Sequence, residues 1–134
     1  MIDHVSRAIS RWYDDHKTQA SKGVVVGISG GPHSMALCLG LAQLRKTQDF
    51  TLIAAHLNHG LRGEEAEEDS HFVEEWCRAQ GIKSSIGRRQ IPKIANENKW
   101  SLEQAARETR YGFLRETAAR HEAECVCTAH ILED

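Results

Sequence analysis

The 134-residue sequence contains no apolar run that approaches the roughly 20 residues needed to cross a lipid bilayer. Its first residues also lack the uninterrupted apolar segment and small-residue cleavage site of a secretory signal. Hydrophobic residues make up 40% of the chain and charged residues 27%, as in ordinary globular proteins. We therefore expect one globular domain with a cytoplasmic location rather than a membrane or secreted protein.

Cysteines are few, and the four present form neither a C-x-x-C pair nor the dense spacing of a disulfide scaffold. They are Cys38, Cys77, Cys125 and Cys127, and they lie in or beside apolar runs. This placement predicts buried free thiols. A zinc site formed by Cys125, Cys127 and His130 is the alternative, although a C-x-C pair with one nearby histidine is a weak ligand pattern.

Charge of one sign is not in excess overall, since the formal net charge is −2, but it is unevenly distributed. The segment 64–75 holds seven acidic residues and no Lys or Arg, whereas the segment 78–120 holds ten Lys or Arg and four Glu. A local positive excess favours a polyanionic partner. Solvated helix faces are the alternative, and charge alone does not decide between the two.

Hydrophobic patterning predicts an alternation of helices and strands. Helices are predicted from the start of the chain to about residue 17, at 34–45, 64–80 and 92–98, and from residue 101 onward. Short apolar runs, typical of parallel strands buried on both faces, predict strands at 23–28, 50–57, 83–86 and 125–129. This order implies an α/β fold, a Rossmann-like parallel sheet with helices on both faces and right-handed crossovers.

Helical periodicity also predicts which side chains enter the core. The predicted core positions are Ile2, Val5, Ile9, Trp12 and Tyr13 in the first helix, Val73, Trp76 and Cys77 in the third, and Leu102, Ala105, Ala106, Thr109 and Phe113 in the last. Gly81 is placed to end the third helix, and Ser101 with Gln104 forms a capping box at the start of the last one.

The segment SGGPHS, Ser29 to Ser34, lies between a predicted buried strand and a helix N-terminus. Free backbone N–H groups and the positive end of the helix dipole favour an anion there. Gly30 and Gly31 remove Cβ atoms that would keep a phosphate away, and the two serines add hydroxyl donors. Neither a G-x-x-x-x-G-K-[ST] nor a G-x-G-x-x-G pattern is present, so the segment predicts another type of phosphate loop, with a tight structural turn as the alternative.

Two further loops are expected at the same edge, because the carboxyl ends of parallel strands line the binding crevice. One begins at Asn58, in the segment AHLNHGLRG, which also carries His56, His59 and Arg62. These side chains suit contacts to a nucleotide or polar substrate, with metal ligation and a purely structural loop as alternatives. The other loop begins at His130.

The last predicted helix carries Glu103, Arg107 and Arg110 at positions i, i+4 and i+7, so the three side chains share one stripe beside the apolar face. Taken alone, this spacing indicates an ion pair on a solvated surface.

Four segments resemble motifs of the N-type ATP pyrophosphatases, and in particular of the tRNA(Ile)-lysidine synthetases. SGGPHS resembles the SGGxDS phosphate loop, AHLNHGLRG resembles H-x-N-H-G-L-R, SLEQAARETRYGFL is similar to the E-x-x-A-R-x-x-R-Y helix, and TAHILED resembles A-H-x-x-D-D. The matches follow the family's order and span residues 24–134. The resemblance implies that residues 1–134 are an N-terminal ATP-binding PP-loop domain without the later helices and tRNA-binding domains with which the family continues.

The resemblance also implies a reaction. With ATP and Mg²⁺ as cofactors, the enzyme would adenylate the C2 oxygen of the wobble cytidine in the CAU-anticodon precursor of isoleucine tRNA, and L-lysine would displace AMP. The activity would be that of an ATP-dependent carbon–nitrogen ligase. A tRNA-thiolating enzyme of the same superfamily and a nucleotide-binding module without catalysis are the alternatives. The oligomeric state stays open, with a homodimer as one alternative.

The site residues implied by the resemblance fall into two groups. ATP-binding residues are expected at Ser29, Gly30, Gly31, Pro32, His33, Ser34, His56, Asn58, His59 and Arg62. Catalytic residues are expected at Arg107, Arg110, His130, Glu133 and Asp134, with Asp134 also a metal ligand. Two positions depart from the family pattern, because His33 and Glu133 each stand where an aspartate is usual. Imidazole does not replace a carboxylate as a ligand for Mg²⁺, so we expect this chain to bind phosphate but to be impaired in catalysis.

Overall fold

A computed structural model describes residues 2–60 and 63–129 and contains a parallel four-stranded sheet covered by helices. The helices are α1 (Ile2–Ala20), α2 (Pro32–Leu44), α3 (Glu64–Ala79), α4 (Ile91–Asn98) and α5 (Leu102–Arg120). The strands are β1 (Val24–Gly27), β2 (Leu52–Asn58), β3 (Lys83–Arg88) and β4 (Cys125–Cys127). The predicted fold class is confirmed. No helix within the described residues is long and apolar enough to cross a membrane.

In the strand order β3-β2-β1-β4, the side on which new strands are added changes at β1. From β1 the chain adds β2 and then β3 on one side, and it returns to add β4 on the other side, with every neighbouring pair parallel. In open parallel sheets, ligands bind beyond the carboxyl ends of the strands at such a switch point. The topology therefore places the expected crevice beside Ile28 and Thr128, which follow β1 and β4.

The two faces of the sheet pack against different helices because strand side chains alternate in direction. Val24 and Val26 belong to the core formed with α1, α2 and α3, where Leu37 and Leu41 are fully buried. Val25 belongs instead to the core formed with α5. A third, smaller cluster joins α4 to α5. Strands buried on both faces explain why β1 and β2 show no polar alternation.

Helix ends follow the predicted chemistry, whereas one predicted core position is wrong. The Ser101 hydroxyl accepts a hydrogen bond from the Gln104 backbone N–H at 3.0 Å, as the capping box predicts. Gly81, which follows the C-cap residue Gln80 of α3, has a φ of +71°, the left-handed conformation that ends a helix. Leu102 is 54% exposed, because α5 enters the core only from its second turn, where Ala105 packs on α4.

The four cysteines are free and buried, as predicted. Burial raises the pKa of Cys38 and of Cys127 to about 12 and that of Cys77 to about 11, so these thiols stay protonated and unreactive at neutral pH. His130, the third residue of the alternative zinc site, lies outside the described residues. Within the described ranges, no group of three His, Cys, Asp or Glu side chains could hold a metal ion.

Candidate functional site

The loop after β1 is held by hydrogen bonds that converge on one buried hydroxyl. The Ser34 Oγ accepts from the Ser29 backbone N–H at 3.0 Å, lies 3.1 Å from the Ser29 Oγ, and donates to the Gly31 carbonyl at 3.2 Å. The Gly31 N–H in turn donates to the Ser29 Oγ at 3.2 Å. Gly30 has a φ of +92°, which an L side chain rarely adopts. The segment Ser29 to Ser34 is therefore an ordered turn.

The start of α2 provides the positive end of a helix dipole at this turn. Gly31 occupies the N-cap position, Pro32 begins the helix, and no side chain caps the first turn. The first turn also holds no acidic residue. Backbone N–H groups at the start of a helix have no partner within the helix, so they bind an anion readily. The local geometry thus fits a phosphate group at the carboxyl end of β1.

A first cleft of about 180 Å³ opens beside this turn at the switch point of the sheet. Its lining residues are Gly27, Ile28, Ser29, Ser34, Ala55, Leu57, His59, Arg110, Tyr111, Leu114, Thr128 and Ala129. Arg110 is the one Lys or Arg among these residues, and its guanidinium lies 5.2 Å from the centre of the Tyr111 ring. We call this space the arginine cleft. It joins the serine hydroxyls of the turn to an apolar wall supplied mainly by α5 and β2.

A second cleft of about 220 Å³ lies on the α3 side of the same turn. It is lined by Ser29, His56, Leu57, Asn58, His59, Ala66 and Asp69. Ser29, Leu57 and His59 belong to both clefts, so the two spaces adjoin. We call this second space the aspartate cleft, because Asp69 is the one carboxylate among the residues that line either space.

His56 joins the carboxyl ends of the two central strands. The residue is 5% exposed, and its Nδ1 lies 2.8 Å from the Ile28 carbonyl oxygen. A carbonyl oxygen only accepts hydrogen bonds, so Nδ1 carries the proton and donates. This bond fixes the imidazole of β2 beside the turn that follows β1.

Asn58 is held by an acidic residue of α3 and in turn shapes the loop after β2. Its Nδ2 donates to the Glu67 carboxylate at 3.1 Å, and its Oδ1 accepts from the Gly60 N–H at 2.9 Å. Arg88, at the end of β3, binds the same carboxylate with two hydrogen bonds of 3.0 Å. The hydrogen bond from Arg88 lowers the pKa of Glu67, which keeps this carboxylate charged and its charge compensated.

The structure brings some of the predicted site residues together and separates others. Residues Ser29, Ser34, His56, Asn58, His59 and Arg110 line one cleft or both. Pro32, His33 and Arg107 are exposed and line neither cleft. Arg62, His130, Glu133 and Asp134 lie outside the described residues, so their roles stay predictions.

Asp69 and the apolar walls of the arginine cleft are not predictable from the local sequence pattern. Asp69 belongs to the acidic run at 64–75, which predicts a helix but no site. Tyr111 and Leu114 follow Arg110 on α5, and they were not assigned to a site because helical spacing predicts only a core face. The missing signal was the direction of α3 and α5 across the sheet edge, which depends on packing rather than on local pattern.

Comparison with known proteins agrees with this geometry. The profile of the PP-loop domain family matches residues 1–134. The chain belongs to the PP-loop domain family. Among curated PP-loop relatives, the tRNA(Ile)-lysidine synthase of Bacillus licheniformis is 41% identical over 111 residues, which cover 83% of this chain and 23% of the relative. That of Clostridium tetani is 35% identical over 136 residues, covering 100% of this chain and 28% of the relative. The PP-loop chain thus spans about a quarter of the length of these relatives.

Solved structures agree on the fold. The U34-tRNA thiolase of Methanococcus maripaludis matches with a TM-score of 0.67 and 18% identity, covering 96% of this chain and 44% of the other. The NH₃-dependent NAD synthetase of Campylobacter jejuni matches with a TM-score of 0.65 and 17% identity, covering 92% of this chain and 54% of the other. These matches confirm the parallel sheet with flanking helices as a PP-loop fold. The predicted resemblance is therefore confirmed at the level of the family.

Proposed function

We propose that this PP-loop domain is the ATP-binding part of a tRNA(Ile)-lysidine synthetase. The observation that supports this most directly is the uncapped start of α2 beside the Ser29–Ser34 turn, which opens into the arginine cleft. The sequence identity to tRNA(Ile)-lysidine synthases over most of the chain favours isoleucine tRNA over the substrates of other PP-loop enzymes. Because the chain spans about a quarter of these relatives, the whole reaction is proposed for the longer protein.

The proposed reaction has two steps. The C2 oxygen of the wobble cytidine attacks the α-phosphorus of ATP, so that a new O–P bond forms, the bond to the β-phosphate breaks and pyrophosphate leaves. A lysine amine then attacks C2, loses a proton, and displaces AMP as the C–O bond breaks. In both steps negative charge builds up on the departing phosphate group. Hydrogen-bond donors whose positions are fixed before the reaction stabilise such charge most strongly.

Among the described residues, the Ser29–Ser34 turn and α5 have different roles in binding the nucleotide. The backbone N–H groups at the start of α2 and the Ser29 and Ser34 hydroxyls hold phosphate oxygens. Arg110 supplies the positive charge among the residues that line the arginine cleft. Tyr111 and Leu114 provide an apolar surface of the kind on which a nucleotide base packs. At about 180 Å³ the cleft is smaller than most ligand sites, which fits a site completed by further parts of a longer protein.

Mg²⁺ fits the described part of the site poorly. Magnesium prefers several oxygen ligands in octahedral geometry, and the turn carries exposed His33 where the family has an aspartate. Glu133 and Asp134, the predicted carboxylates, lie outside the described residues. The proposed steps therefore involve no metal. Because His33 removes an expected carboxylate ligand, a nucleotide-binding module without catalysis is the second candidate.

Two experiments test the proposal, a titration with ATP and a turnover assay. The chain should bind ATP in calorimetry, with shifts of the amide resonances of Gly30, Gly31 and Ser34 in NMR. If a longer protein that contains this domain retains catalysis with His33, it should release pyrophosphate only when isoleucine tRNA is present and then incorporate lysine, whereas ATP binding without pyrophosphate release would support the non-catalytic module. Incorporation of sulfur instead of lysine would support a thiolase, and absence of ATP binding would refute the proposal itself.

The two arginines of α5 should differ in their effect on ATP binding. Arg110→Ala should raise the Kd for ATP about tenfold, because a hydrogen bond to a charged group is lost. Arg107→Ala is the matched control, since this exposed side chain lines neither cleft, and it should change the Kd by less than about twofold. Calorimetric titration of both variants would check the difference. A larger loss in Arg107→Ala than in Arg110→Ala would contradict the assigned geometry.

Replacing His33 by aspartate should make ATP binding depend on Mg²⁺. A carboxylate at this position adds an oxygen ligand beside the phosphate turn, so Mg²⁺ should strengthen ATP binding by His33→Asp about fivefold more than it strengthens binding by the parent chain. His33→Asn is the control, because it has nearly the shape of aspartate and no charge. The readout is the Kd for ATP with and without Mg²⁺, and equal Mg²⁺ dependence in both variants would rule out a metal-binding role for position 33.

A further inference from the structure

A third space lies at the amino ends of β2 and β3, on the edge of the sheet opposite the nucleotide site. Its volume is about 460 Å³, which is larger than that of either cleft at the carboxyl edge and within the usual range of ligand sites. We call it the amino-edge pocket, and its lining residues are Arg45, Phe50, Thr51, Leu52, Ile53, Gly81, Lys83 and His121. Because β2 is seven residues long, the pocket lies roughly 20 Å from the Ser29–Ser34 turn. A ligand here would occupy a site separate from that of the nucleotide.

Three basic side chains line the amino-edge pocket, and each comes from a different part of the fold. Arg45 directly follows α2, Lys83 begins β3, and His121 directly follows α5. No carboxylate is among the lining residues. Arg120, beside His121, extends toward β3, where its Nη1 donates to the Ser85 Oγ at 3.4 Å. Positive charge is therefore concentrated at this edge of the sheet.

The basic residues at the pocket differ from others in the basic segment 78–120. Several residues of that segment form ion pairs with glutamates, namely Arg78, Arg88, Arg89 and Lys93. Lys83 and Arg120, like Arg45, have no acidic partner among the residues that the structure describes. Their charges are thus not compensated by the described part of the protein.

The ends of α2 and α5 explain part of this charge but not its convergence. Basic residues at the C-terminus of a helix stabilise the helix dipole, which accounts for Arg45 and Arg120. Lys83 begins a strand, so this explanation does not apply to it. The pKa of His121 is lowered, first by partial burial and then by the charges of Lys83 and Arg120, which oppose a further positive charge. A bound anion would offset this repulsion.

The donors at the pocket suit a phosphate group. The Arg45 Nη2 donates to the Gly81 carbonyl at 3.4 Å, which positions the guanidinium and leaves its other N–H groups for a ligand. Arginine and lysine side chains both donate charge-assisted hydrogen bonds to phosphate oxygens. A metal ion would be repelled by the same charges and would find no carboxylate among the lining residues.

We propose that the amino-edge pocket binds a phosphate group through Arg45, Lys83 and His121. This inference goes beyond the proposed function and does not depend on it, because it requires neither a nucleotide at the Ser29–Ser34 turn nor a reaction. The phosphate belongs either to a small anion such as pyrophosphate or to the backbone of an RNA, since the same side chains bind both.

Titration of the chain with inorganic pyrophosphate and, separately, with a short single-stranded RNA tests the inference. The Lys83 and His121 amide resonances should shift in NMR, and the shifts should persist in Ser34→Ala, which disrupts the turn of the nucleotide site. Lys83→Gln should raise the Kd followed at His121 about fivefold, because a charge-assisted hydrogen bond is lost. Lys93→Gln is the matched control, since it removes the same charge from an exposed residue outside the pocket, and it should leave this Kd unchanged.

The His121 ring provides a second readout. Pyrophosphate should raise the pKa of His121, because the anion opposes the positive charges around the ring. Those charges belong to Arg45, Lys83 and Arg120. A role of His121 confined to the end of α5 would leave this pKa unchanged, and that result would contradict the inference.

The two probes distinguish the sources of the phosphate. Tighter binding of pyrophosphate than of RNA, compared at equal phosphate concentration, identifies a small anion as the ligand, and the reverse order identifies an RNA backbone. The inference is wrong if neither probe shifts the Lys83 and His121 resonances, or if Lys83→Gln and Lys93→Gln have the same Kd. Loss of these shifts in Ser34→Ala would also overturn it, because the pocket would then not be a separate site.

Discussion

Replacing Ser34 by alanine is expected to weaken ATP binding about 10-fold to 100-fold, equivalent to roughly 1.4–2.8 kcal/mol. Ser34 is 6% exposed, and its hydroxyl contacts the Ser29 N–H, the Ser29 Oγ and the Gly31 carbonyl. Its removal leaves the Ser29 N–H without its partner and releases Gly31, so the turn no longer holds its donors in place for the phosphates. Calorimetry with ATP measures the change in Kd.

Ser70→Ala is the matched control for this variant. Ser70 is also buried, but its Oγ donates to the Ala66 carbonyl within α3 at 3.0 Å and contacts neither cleft. The two variants lose the same atom from buried sites, so a similar change in stability is expected and only Ser34→Ala should lose ATP affinity. Equal ATP affinity in the two variants would show that the turn does not hold the nucleotide.

The elements of the fold were predictable because each has a local cause. All five helices and all four strands of the described residues were predicted from apolar periodicity and from capping residues such as Ser101. Their bounds were less accurate, because pairing sets strand length. β3 runs to Arg88 rather than residue 86, since its last residues pair with Leu57 and Asn58 of β2. β4 ends at Cys127, since the pairing with β1 extends only from Val24 to Val26.

Only the part of the candidate site that lies within one short segment was predictable from the sequence. Ser29 to Ser34 combines a strand end, a helix start and two glycines within six residues, so its geometry follows from local chemistry. Arg107 and Arg110 share a predicted stripe, yet only Arg110 lines the cleft, because its position depends on how far α5 extends past the sheet edge. Asp69 depends in the same way on the placement of α3. Contacts between elements that are distant in the sequence cannot be predicted from the spacing of neighbouring residues.

The placement of α5 depends on a close approach between one glycine and one aromatic ring. Gly87 of β3 is buried, and a Cβ atom built on it would lie 2.5 Å from the Phe113 Cε1. Phe113 is 3% exposed and packs in the core between α5 and the sheet. It follows Arg110 by three residues, so both side chains lie on neighbouring turns of the same helix. Because Gly87 has no side chain, Phe113 can approach β3 closely, and the turn of α5 that carries Arg110 lies correspondingly close to the sheet.

Gly87→Ala is expected to lower the free energy of unfolding by about 1–3 kcal/mol, because the added methyl group overlaps the Phe113 ring and the core must move to accommodate it. Since whole domains are stable by roughly 5–15 kcal/mol, this is a large fraction of the total. Denaturant unfolding monitored by circular dichroism measures the change. At temperatures where the variant stays folded, ATP affinity should also fall, because Phe113 and Arg110 move with α5.

Gly112→Ala in α5 is the control, and it is expected to stabilise the protein rather than destabilise it. The nearest atom to a Cβ at Gly112 is the Arg115 Nη2 at 3.9 Å, so the methyl group meets no steric obstacle. Alanine in a helix interior is more stable than glycine by roughly 0.5–1 kcal/mol, so this variant should unfold at a higher denaturant concentration than the parent chain. If both substitutions stabilise the protein, the contact between Gly87 and Phe113 does not fix α5, and the position assigned to Arg110 loses its structural basis.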